Sequence, residues 1–432
     1  MPRKKTERTV FYIRTETNCS ALSRREPGIR GLGQAFPGRN RGTRPILMQS
    51  AFDVAVVGAG IAGAGAAADL SDGHNVLLLE QEERPGMHAT GRSAALHLEI
   101  YGNALIRALT QASRDFFEQG AGAKTFAGPR GCLHIASNEQ LPALEAIAAE
   151  ANVADVVEWI DARQACDLVP VLREDYIAAA LSERFAYDLD VDAIHHHFLK
   201  RLRQQGGVIH SSARAMDCTY DGAQWTIVTP HATFTAKILV NAAGAWGDVV
   251  ARSAGVAPIG LTPCRRSALI VDAPDGTSPA QWPAVIDIGG EFYFKPEAGK
   301  ILMSPADETP SEPCDTFPEE LDLAIAVDRV QKAADIPVRR IEHSWAGLRT
   351  FAADRSPVVG FDPDHPAFFW LVGQGGYGVQ TSPALSRLAG ALVRGEEIPA
   401  ALAARGIRAE QLSPARFHTA SQRQPRGCVA TE

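Results

Sequence analysis

The sequence predicts an α/β fold: a Rossmann-like domain built from both ends of the chain, with an inserted α+β domain on an antiparallel sheet. Three observations support this prediction. The first is a strand–turn–helix–strand unit, FDVAVVGAGIAGAGAAADLSDGHNVLLLEQ, from Phe52 to Gln81. The second is a glycine-rich turn that follows an apolar strand near the C-terminus. The third is a middle section of short strands separated by polar loops.

The N-terminal unit carries a glycine fingerprint. Its Val-rich first strand is typical of a parallel strand buried on both faces. Gly58, Gly60 and Gly63 follow with the spacing G-x-G-x-x-G: the first permits the tight turn, the second lets the backbone approach a pyrophosphate, and the third lets the helix pack closely. Glu80 ends the next strand, 22 residues after Gly58, where a carboxylate can accept ribose hydroxyls. The unit therefore predicts dinucleotide binding, with a plain structural turn as the alternative.

Composition limits the class of protein. The 432 residues are 45% hydrophobic and 22% charged, which is typical of a globular protein with room for two domains. The net charge of −7 argues against a nucleic-acid-binding body, and no apolar run approaches the about 18 residues of a membrane span. Seven scattered cysteines without a C-x-x-C pair indicate neither a disulfide framework nor a zinc site. We expect a cytoplasmic protein without a metal.

The two ends of the chain differ from its body. Residues 1–47 contain eleven Lys or Arg and three Glu, a net charge of +8 that leaves −15 on the rest. We expect this basic leader to be disordered. The favoured explanation is a true start at Met48, and a targeting or RNA-binding role is the alternative. Residues 417–432 are expected to form a mobile tail.

Local periodicity predicts further elements. Helical spacing extends from Ala104 to Glu118, and an apolar stretch from Val208 to Met216 is typical of a strand. A final apolar strand, Phe368 to Leu371, leads into a helix expected to run from about Pro383 to Arg394.

The second glycine-rich turn, GQGGYGVQTSPA, lies between that last strand and helix. Four glycines occur within six residues, starting at Gly373. Their backbone amides can meet a flavin ring, and the helix N-terminus favours negative charge on it. The turn alone could be merely flexible. Two distant glycine-rich strand ends that converge on one cofactor suit FAD better than NAD.

From about Met48 to Phe417 the chain resembles the family of FAD-dependent D-amino acid oxidases and dehydrogenases, most closely its D-arginine dehydrogenases. The resemblance is carried by VVGAGIAGA, HATGRSAA, IYG, QACDLVPVLRED, LVNAAGAWGD, RRSA, FYFKP, HSWAGLR and GQGGYGVQTS. It implies a discontinuous FAD-binding domain of residues 48–98, 190–258 and 345–416, and a substrate domain of residues 99–189 and 259–344.

The resemblance also implies the residues that contact the cofactor. Ala215 would contact adenine through its backbone, from a strand edge. The full set is Gly58, Gly60, Ile61, Ala62, Gly63, Glu80, Gln81, Thr90, Arg92, Ser93, Ala94, Ala215, Ala243, Gly244, Gly375, Gly376, Tyr377, Gly378 and Gln380.

Four catalytic-site residues follow from the same resemblance: Tyr101, Arg266, Tyr293 and Arg349. The two guanidinium groups, expected to face each other across the flavin ring, would bind the substrate carboxylate. The implied reaction transfers a hydride from Cα of a D-amino acid to flavin N5. Water then hydrolyses the imine to a 2-oxo acid and ammonia, and oxygen or a quinone reoxidises the flavin. The D configuration rests on the resemblance alone.

Departures from the family pattern concern the substrate side chain. Leu96 and Leu98 stand where a histidine and a threonine are expected, and Gly131 or Cys132 where a glutamate would bind a distal guanidinium. Burying a cationic side chain without that carboxylate is costly. We therefore expect neutral, apolar substrates, unless Glu99 supplies the missing acid.

Other functions remain open from the sequence. A related flavoenzyme could use the same arginine pair to oxidise a 2-hydroxy acid or an N-methyl amino acid. A protein of another class, an FAD-binding interaction protein without redox activity, is the further alternative.

Overall fold

A computed structural model describes residues 48–122, 124–150 and 153–417. The predicted basic leader and nearly all of the predicted mobile tail lie outside these ranges. The exception is Phe417, which ends a short 3-10 helix and packs against the core. Among the described helices, none is both long and apolar enough to cross a bilayer.

The strands of the described chain form three sheets. They are β1 (Met48–Val57), β2 (Val76–Leu79), β3 (Leu96–His97), β4 (Ala127–Pro129), β5 (Cys132–Ala136), β6 (Val157–Ile160), β7 (Ala179–Glu183), β8 (Tyr187–Leu189), β9 (Val208–His210), β10 (Asp217–Tyr220), β11 (Trp225–Val228), β12 (Thr233–Asn241), β13 (Thr262–Asp272), β14 (Ala284–Asp287), β15 (Tyr293–Glu297), β16 (Lys300–Ser304), β17 (Thr309–Pro310), β18 (Ile341–Phe351), β19 (Val358–Phe361), β20 (Phe368–Val372) and β21 (Gln374–Gly375).

The described helices connect and cover these sheets. They are α1 (Ile61–Leu70), α2 (Ala104–Gln111), α3 (Arg114–Gln119), α4 (Leu141–Ala148), α5 (Ala162–Leu168), α6 (Val191–Gln204), α7 (Gly247–Ser253), α8 (Glu320–Ala333), α9 (Gly378–Val393), α10 (Ala400–Ala403) and α11 (Ala409–Leu412). Short 3-10 helices span Asn138–Gln140, Gly244–Trp246, Pro279–Gln281 and Pro414–Phe417.

The eight-stranded sheet is the Rossmann-like part of the fold. Its strand order is β10-β11-β12-β1-β2-β9, with β20 beside β12 and β19 beside β20. Strands β9, β2, β1, β12 and β20 run parallel to their neighbours in that series. Along β1, Val54 and Val56 pack into one apolar cluster and Ala55 and Val57 into another. Both faces are therefore covered, as the apolar run predicts for a buried parallel strand.

Helices α1 and α9 pack closely on one face of this sheet. Gly65 of α1 contacts Ser386 of α9 so closely that a Cβ at position 65 would lie 2.1 Å from the serine Oγ. The small residues of α1, mostly Ala and Gly, allow this approach. As a result, the N-termini of both helices are held near the carboxyl ends of β1 and β20.

The ten-stranded sheet is mostly antiparallel, and most of its strands come from the predicted substrate domain. Its order is β21-β18-β13-β16-β15-β14-β5-β7-β6, with β17 beside β13. The predicted α/β class with an antiparallel second sheet is confirmed. The domain boundaries stay a prediction, and the one between residues 344 and 345 falls inside the continuous strand β18.

Three element predictions need correction. Residues 104–118 form two helices, α2 and α3, separated by a short turn. The strand expected to run from Val208 to Met216 stops at His210, because Ser212 adopts φ +52° and the chain turns back so that the Ala213 amide donates to the Glu80 carbonyl. Helix α9 begins at Gly378, five residues earlier than expected, and Pro383 lies inside it.

Candidate active site

One cavity of about 690 Å³ collects the residues that the sequence singles out. It is lined by both glycine-rich turns, by the loop around Thr90 and by one face of the ten-stranded sheet. Every predicted cofactor and catalytic residue lines it except Gly63. Gly63 instead packs α1 against the turn, where a Cβ would lie 1.8 Å from the Gly58 carbonyl oxygen.

The first glycine turn is shaped by close backbone contacts. Gly58 has φ +102°, and a Cβ there would lie 2.5 Å from the Ala242 carbonyl oxygen, so this position requires glycine. The Ile61 amide at the start of α1 donates to Thr90 Oγ1 at 2.9 Å. Thr90 thus ties the loop that carries it to the helix N-terminus.

Glu80 lies buried beside this turn. Its Oε2 accepts from the Ala59 amide at 2.9 Å and its Oε1 from the Glu82 amide at 3.0 Å. Burial raises the pKa of the Glu80 carboxyl, although the two amide hydrogen bonds oppose the rise. Ala215 lines the same cavity, but from the loop between β9 and β10 and not from a strand edge as expected.

The second glycine turn connects β20 to α9. Tyr377 is the N-cap of α9, and Gln380 in its first turn donates to Thr110 Oγ1 at 2.8 Å and accepts from the Leu98 amide at 3.2 Å. Because the first amides of a helix lack partners within it, the N-terminus of α9 presents donors and positive potential at the cavity.

Strand register brings the two predicted arginines together. In the antiparallel pair β13–β18, Arg266 lies opposite Gly347 and Arg349 lies opposite Cys264. The two arginines are therefore diagonal neighbours on one face, where they line the cavity. The expectation that they face each other across the ring was wrong: they project side by side from adjacent strands. Tyr293, at the start of β15, lines the same cavity.

Arg349 is held in place by aromatic residues. Its Nη2 donates to Tyr101 Oη at 2.9 Å, and its guanidinium lies over the rings of Phe351 and Tyr377. Burial opposes ionisation of Tyr101, but the charges of Arg349 and Arg266 outweigh it and lower the pKa of Tyr101. The position of Arg349 and the ionisation of Tyr101 are therefore coupled.

The sequence prediction missed two charged residues at this position. Glu308 Oε1 accepts from Arg266 Nη2 and from Arg349 Nη1, each at 3.2 Å. Arg355 Nη2 donates to both oxygens of Glu308 at 2.9 Å and stacks over Phe351, with its guanidinium carbon 3.9 Å from the ring centroid. Both residues lie in loops without periodicity, so no sequence pattern points to them.

Arg92 and Ser93, predicted to line the pyrophosphate and flavin, line the cavity with different partners. Arg92 Nη1 donates to the carbonyls of Thr316 and Ala346, each at 3.0 Å. Ser93 Oγ accepts from the Ala95 amide at 3.0 Å, which supports Ala95 at φ +61°. Their contact with a cofactor stays a prediction.

The part of the cavity expected to hold the substrate side chain is apolar at the positions where the sequence departs from the family. Leu96 and Leu98 line it together with Ile286 and Phe292. Glu99 does not line it: this residue is buried and its Oε1 accepts from Arg114 Nη1 at 3.0 Å. The hypothesis that Glu99 supplies the missing acid is therefore wrong.

Comparison with known proteins identifies the family. A family model described as FAD dependent oxidoreductase, DAO, matches residues 53–392. The chain belongs to this family. It is an FAD-dependent oxidoreductase, and the cofactor predicted from the two glycine turns is confirmed.

Individual relatives are distant. Glycine oxidase of Geobacillus kaustophilus (strain HTA426) is 22% identical over 379 residues, which cover 81% of this chain and 95% of that protein. Its crystal structure superposes with a TM-score of 0.70 at 21% identity, covering 81% of this chain and 96% of that one. L-proline dehydrogenase from P. horikoshii gives a TM-score of 0.75 at 20% identity, covering 86% and 98%.

L-amino acid deaminase from Proteus vulgaris gives a TM-score of 0.71 at 17% identity, covering 88% of this chain and 100% of that one. At such identities the structural likeness supports the fold. A specific relationship to D-arginine dehydrogenase is not shown.

The lining of this FAD-dependent oxidoreductase fits its cofactor. The N-termini of α1 and α9 both reach the cavity, and each provides backbone donors for anionic groups. The buried Glu80 carboxylate provides an acceptor for hydroxyls. Glycine at position 58 lets this turn pack against the Ala242 backbone, which a Cβ would prevent. The donor set thus matches a diphosphate, a sugar and a flavin ring.

Proposed function

We propose that this oxidoreductase oxidises the Cα–N bond of a D-amino acid with a neutral, apolar side chain. One observation carries the proposal: Arg266 and Arg349 both donate to a single carboxylate oxygen, Oε1 of Glu308, at 3.2 Å. The two guanidinium groups therefore converge on a point that suits an amino acid carboxylate.

The residues around that point suit positioning. A carboxylate gripped by two guanidinium groups has few orientations left, and this fixes the position of Cα. Tyr101 stabilises Arg349 and adds a phenol to the same wall. Tyr293 lies on the neighbouring part of the sheet face. These four residues are thus the proposed catalytic-site residues.

The side-chain preference follows from charge. Among the described residues that line the cavity, Glu80 and Glu308 are the only carboxylates. Glu80 lies beside the first glycine turn, where it is the expected acceptor for cofactor hydroxyls, and Glu308 is paired with arginines. A cationic substrate side chain would be buried without a free partner, at a cost of several kcal/mol. Leu96, Leu98 and Ile286 favour an apolar side chain instead.

The chemistry supplied by bound FAD is acceptance of a hydride from Cα. The protein presents the amino acid with its amine deprotonated and releases an imine, which water hydrolyses to a 2-oxo acid and ammonia. Oxygen or a quinone would then take the electrons.

The hand of the substrate is the part to be tested first. The D configuration is implied by the family resemblance, whereas two relatives carry names that specify L-proline and L-amino acids. Purified yellow protein should be mixed anaerobically with D- and L-leucine, D-methionine, D-arginine and D-2-hydroxyisocaproate. We expect D-leucine and D-methionine to bleach the flavin faster than the others. Faster bleaching by D-arginine would refute the apolar preference, and faster bleaching by L-leucine would refute the D preference.

An N-substituted amino acid is the second candidate substrate. The name of the P. horikoshii relative supports it, because the nitrogen of proline is a secondary amine. N-methyl-D-leucine and D-proline in the same anaerobic assay separate the two candidates. If no compound bleaches the flavin, the proposed amino acid oxidation is refuted. Oxygen consumption compared with quinone reduction then distinguishes the acceptors.

A further inference from the structure

Three guanidinium groups surround the carboxylate of Glu308. Arg266 and Arg349 share its Oε1, and Arg355 binds both of its oxygens. Arg266 and Arg349 are largely buried, with side chains 13% and 11% exposed, whereas Glu308 and Arg355 are 34% and 48% exposed. The cluster therefore has an inner pair of arginines and an outer ion pair at its rim.

Glu308 occupies the point that a substrate carboxylate needs. Its Oε1 lies within 3.2 Å of both inner guanidinium groups, so a second carboxylate at this point would meet the same donors and a like charge. Glu308 and a substrate carboxylate therefore cannot bind to Arg266 and Arg349 at the same time.

The position of Glu308 also allows its side chain to move away from the inner arginines. It lies in the loop between β16 and β17, next to a two-residue strand whose residues are exposed. Its contacts with the inner arginines are 3.2 Å long, and those with Arg355 are 2.9 Å. A Glu308 side chain that swings outward can keep Arg355 as its partner, so that its charge never loses a counter-ion.

We propose that Glu308 is a specificity-determining residue that competes with the substrate carboxylate for Arg266 and Arg349. This inference rests on the proposed amino acid oxidation. A ligand with a carboxylate displaces Glu308 and binds, whereas an amine without one leaves Glu308 in place. Glu308 thus lowers the affinity for every carboxylate and restricts the site to ligands that carry one.

The test uses FAD-loaded wild-type protein and Glu308→Gln, with Glu312→Gln as the control. Glu312 is an exposed acid four residues further along the chain. The probe is 4-methylpentanoate, which is leucine without its amine, and its Kd is measured by calorimetry and by the shift of the flavin spectrum. Loss of the competing charge should tighten binding about tenfold or more in Glu308→Gln. Glu312→Gln should bind as the wild type does.

A second ligand and a second variant complete the test. The amine 4-methylpentan-1-amine should not bind more tightly to Glu308→Gln than to the wild type. Glu308→Asp keeps the charge but shortens the side chain, so it should tighten 4-methylpentanoate binding by less than Glu308→Gln, and this comparison serves if the glutamine variant does not fold.

Three results would overturn the inference. If the wild type binds 4-methylpentanoate and neither Glu308 variant binds it more tightly, the competition is refuted while the proposed function stands. If the amine also gains affinity, the effect is not competition for the arginines. If 4-methylpentanoate binds neither the wild type nor a variant, the carboxylate site itself fails, and the proposed function fails with it.

Discussion

Gly376 lies directly against the guanidinium of Arg349. A Cβ built on Gly376 would lie 1.7 Å from Arg349 Nη2 and 2.1 Å from its Cζ. The second glycine turn and strand β18 are therefore in contact at this position. Glycine at this position permits the placement of Arg349, and its contact with the cofactor stays a prediction.

Gly376→Ala should therefore displace Arg349. Because Arg349 is fixed by Tyr101 and by two aromatic rings, it cannot yield without losing these contacts. We expect a weakening of substrate binding by about tenfold or more, with flavin still bound. The measurement is KM with the best substrate of the anaerobic screen. Gly128→Ala is the control, since a Cβ there meets no atom within 4 Å. An unchanged KM in Gly376→Ala would show that Arg349 does not bind the substrate.

Tyr101 should make carboxylate binding dependent on pH. Burial opposes its ionisation, but Arg349 and Arg266 lower its pKa below the ordinary value. As pH rises through that pKa, the phenolate neutralises part of the guanidinium charge, so affinity for 4-methylpentanoate should fall. Tyr101→Phe should bind this ligand about tenfold more weakly at neutral pH and lose the alkaline decline. Tyr220→Phe, at an exposed tyrosine, should keep it. An alkaline decline that persists in Tyr101→Phe would assign the titration to another group.

Glu99 should make stability fall as pH rises. Its side chain is 1% exposed, and burial, opposed by Arg114 and reinforced by Glu183, raises its pKa from 4.5 to about 7. A carboxyl with a raised folded-state pKa contributes full stability below pH 4.5, and the contribution is lost as pH rises through 7. The loss is on the order of 3 kcal/mol.

Glu99→Gln removes this titration while keeping the size of the side chain. The difference in Tm between Glu99→Gln and the wild type should shift in favour of the variant between pH 5 and about pH 8. Thermal unfolding at both pH values measures it, with the exposed Glu83→Gln as the control. A difference that does not change with pH would mean that Glu99 titrates near its ordinary value.

The sequence predicted what depends on short chain segments. The turn at Gly58 and the carboxylate of Glu80 lie within one strand–helix–strand unit, so their spacing alone indicated that they meet. The second turn was found for the same reason. The start of α9 at Gly378 was missed: the helix was expected from about Pro383, which instead lies five residues inside it.

What depends on register and loops could not be predicted. Arg266 and Arg349 share a face only because Cys264 pairs with Arg349, and no local pattern fixes that register. Glu308 lies in a loop without periodicity, and the arginines that it binds are 41 to 47 residues away along the chain. Glu99 was misjudged from its closeness to Leu98 in sequence, whereas its carboxylate lies outside the cavity lining and accepts a hydrogen bond from Arg114.

The central claim is that Arg349 places an amino acid carboxylate so that its Cα–H bond meets the flavin. Anaerobic bleaching of the flavin in Arg349→Lys, followed over a range of D-leucine concentrations, tests it most directly. Lysine keeps the charge but cannot form the bidentate contact. We expect the half-saturating concentration to rise about a hundredfold, from the loss of about two charge-assisted hydrogen bonds, with the oxidised flavin spectrum intact before mixing. If D-leucine bleaches Arg349→Lys at the same concentrations and the same rate as the wild type, the account is contradicted.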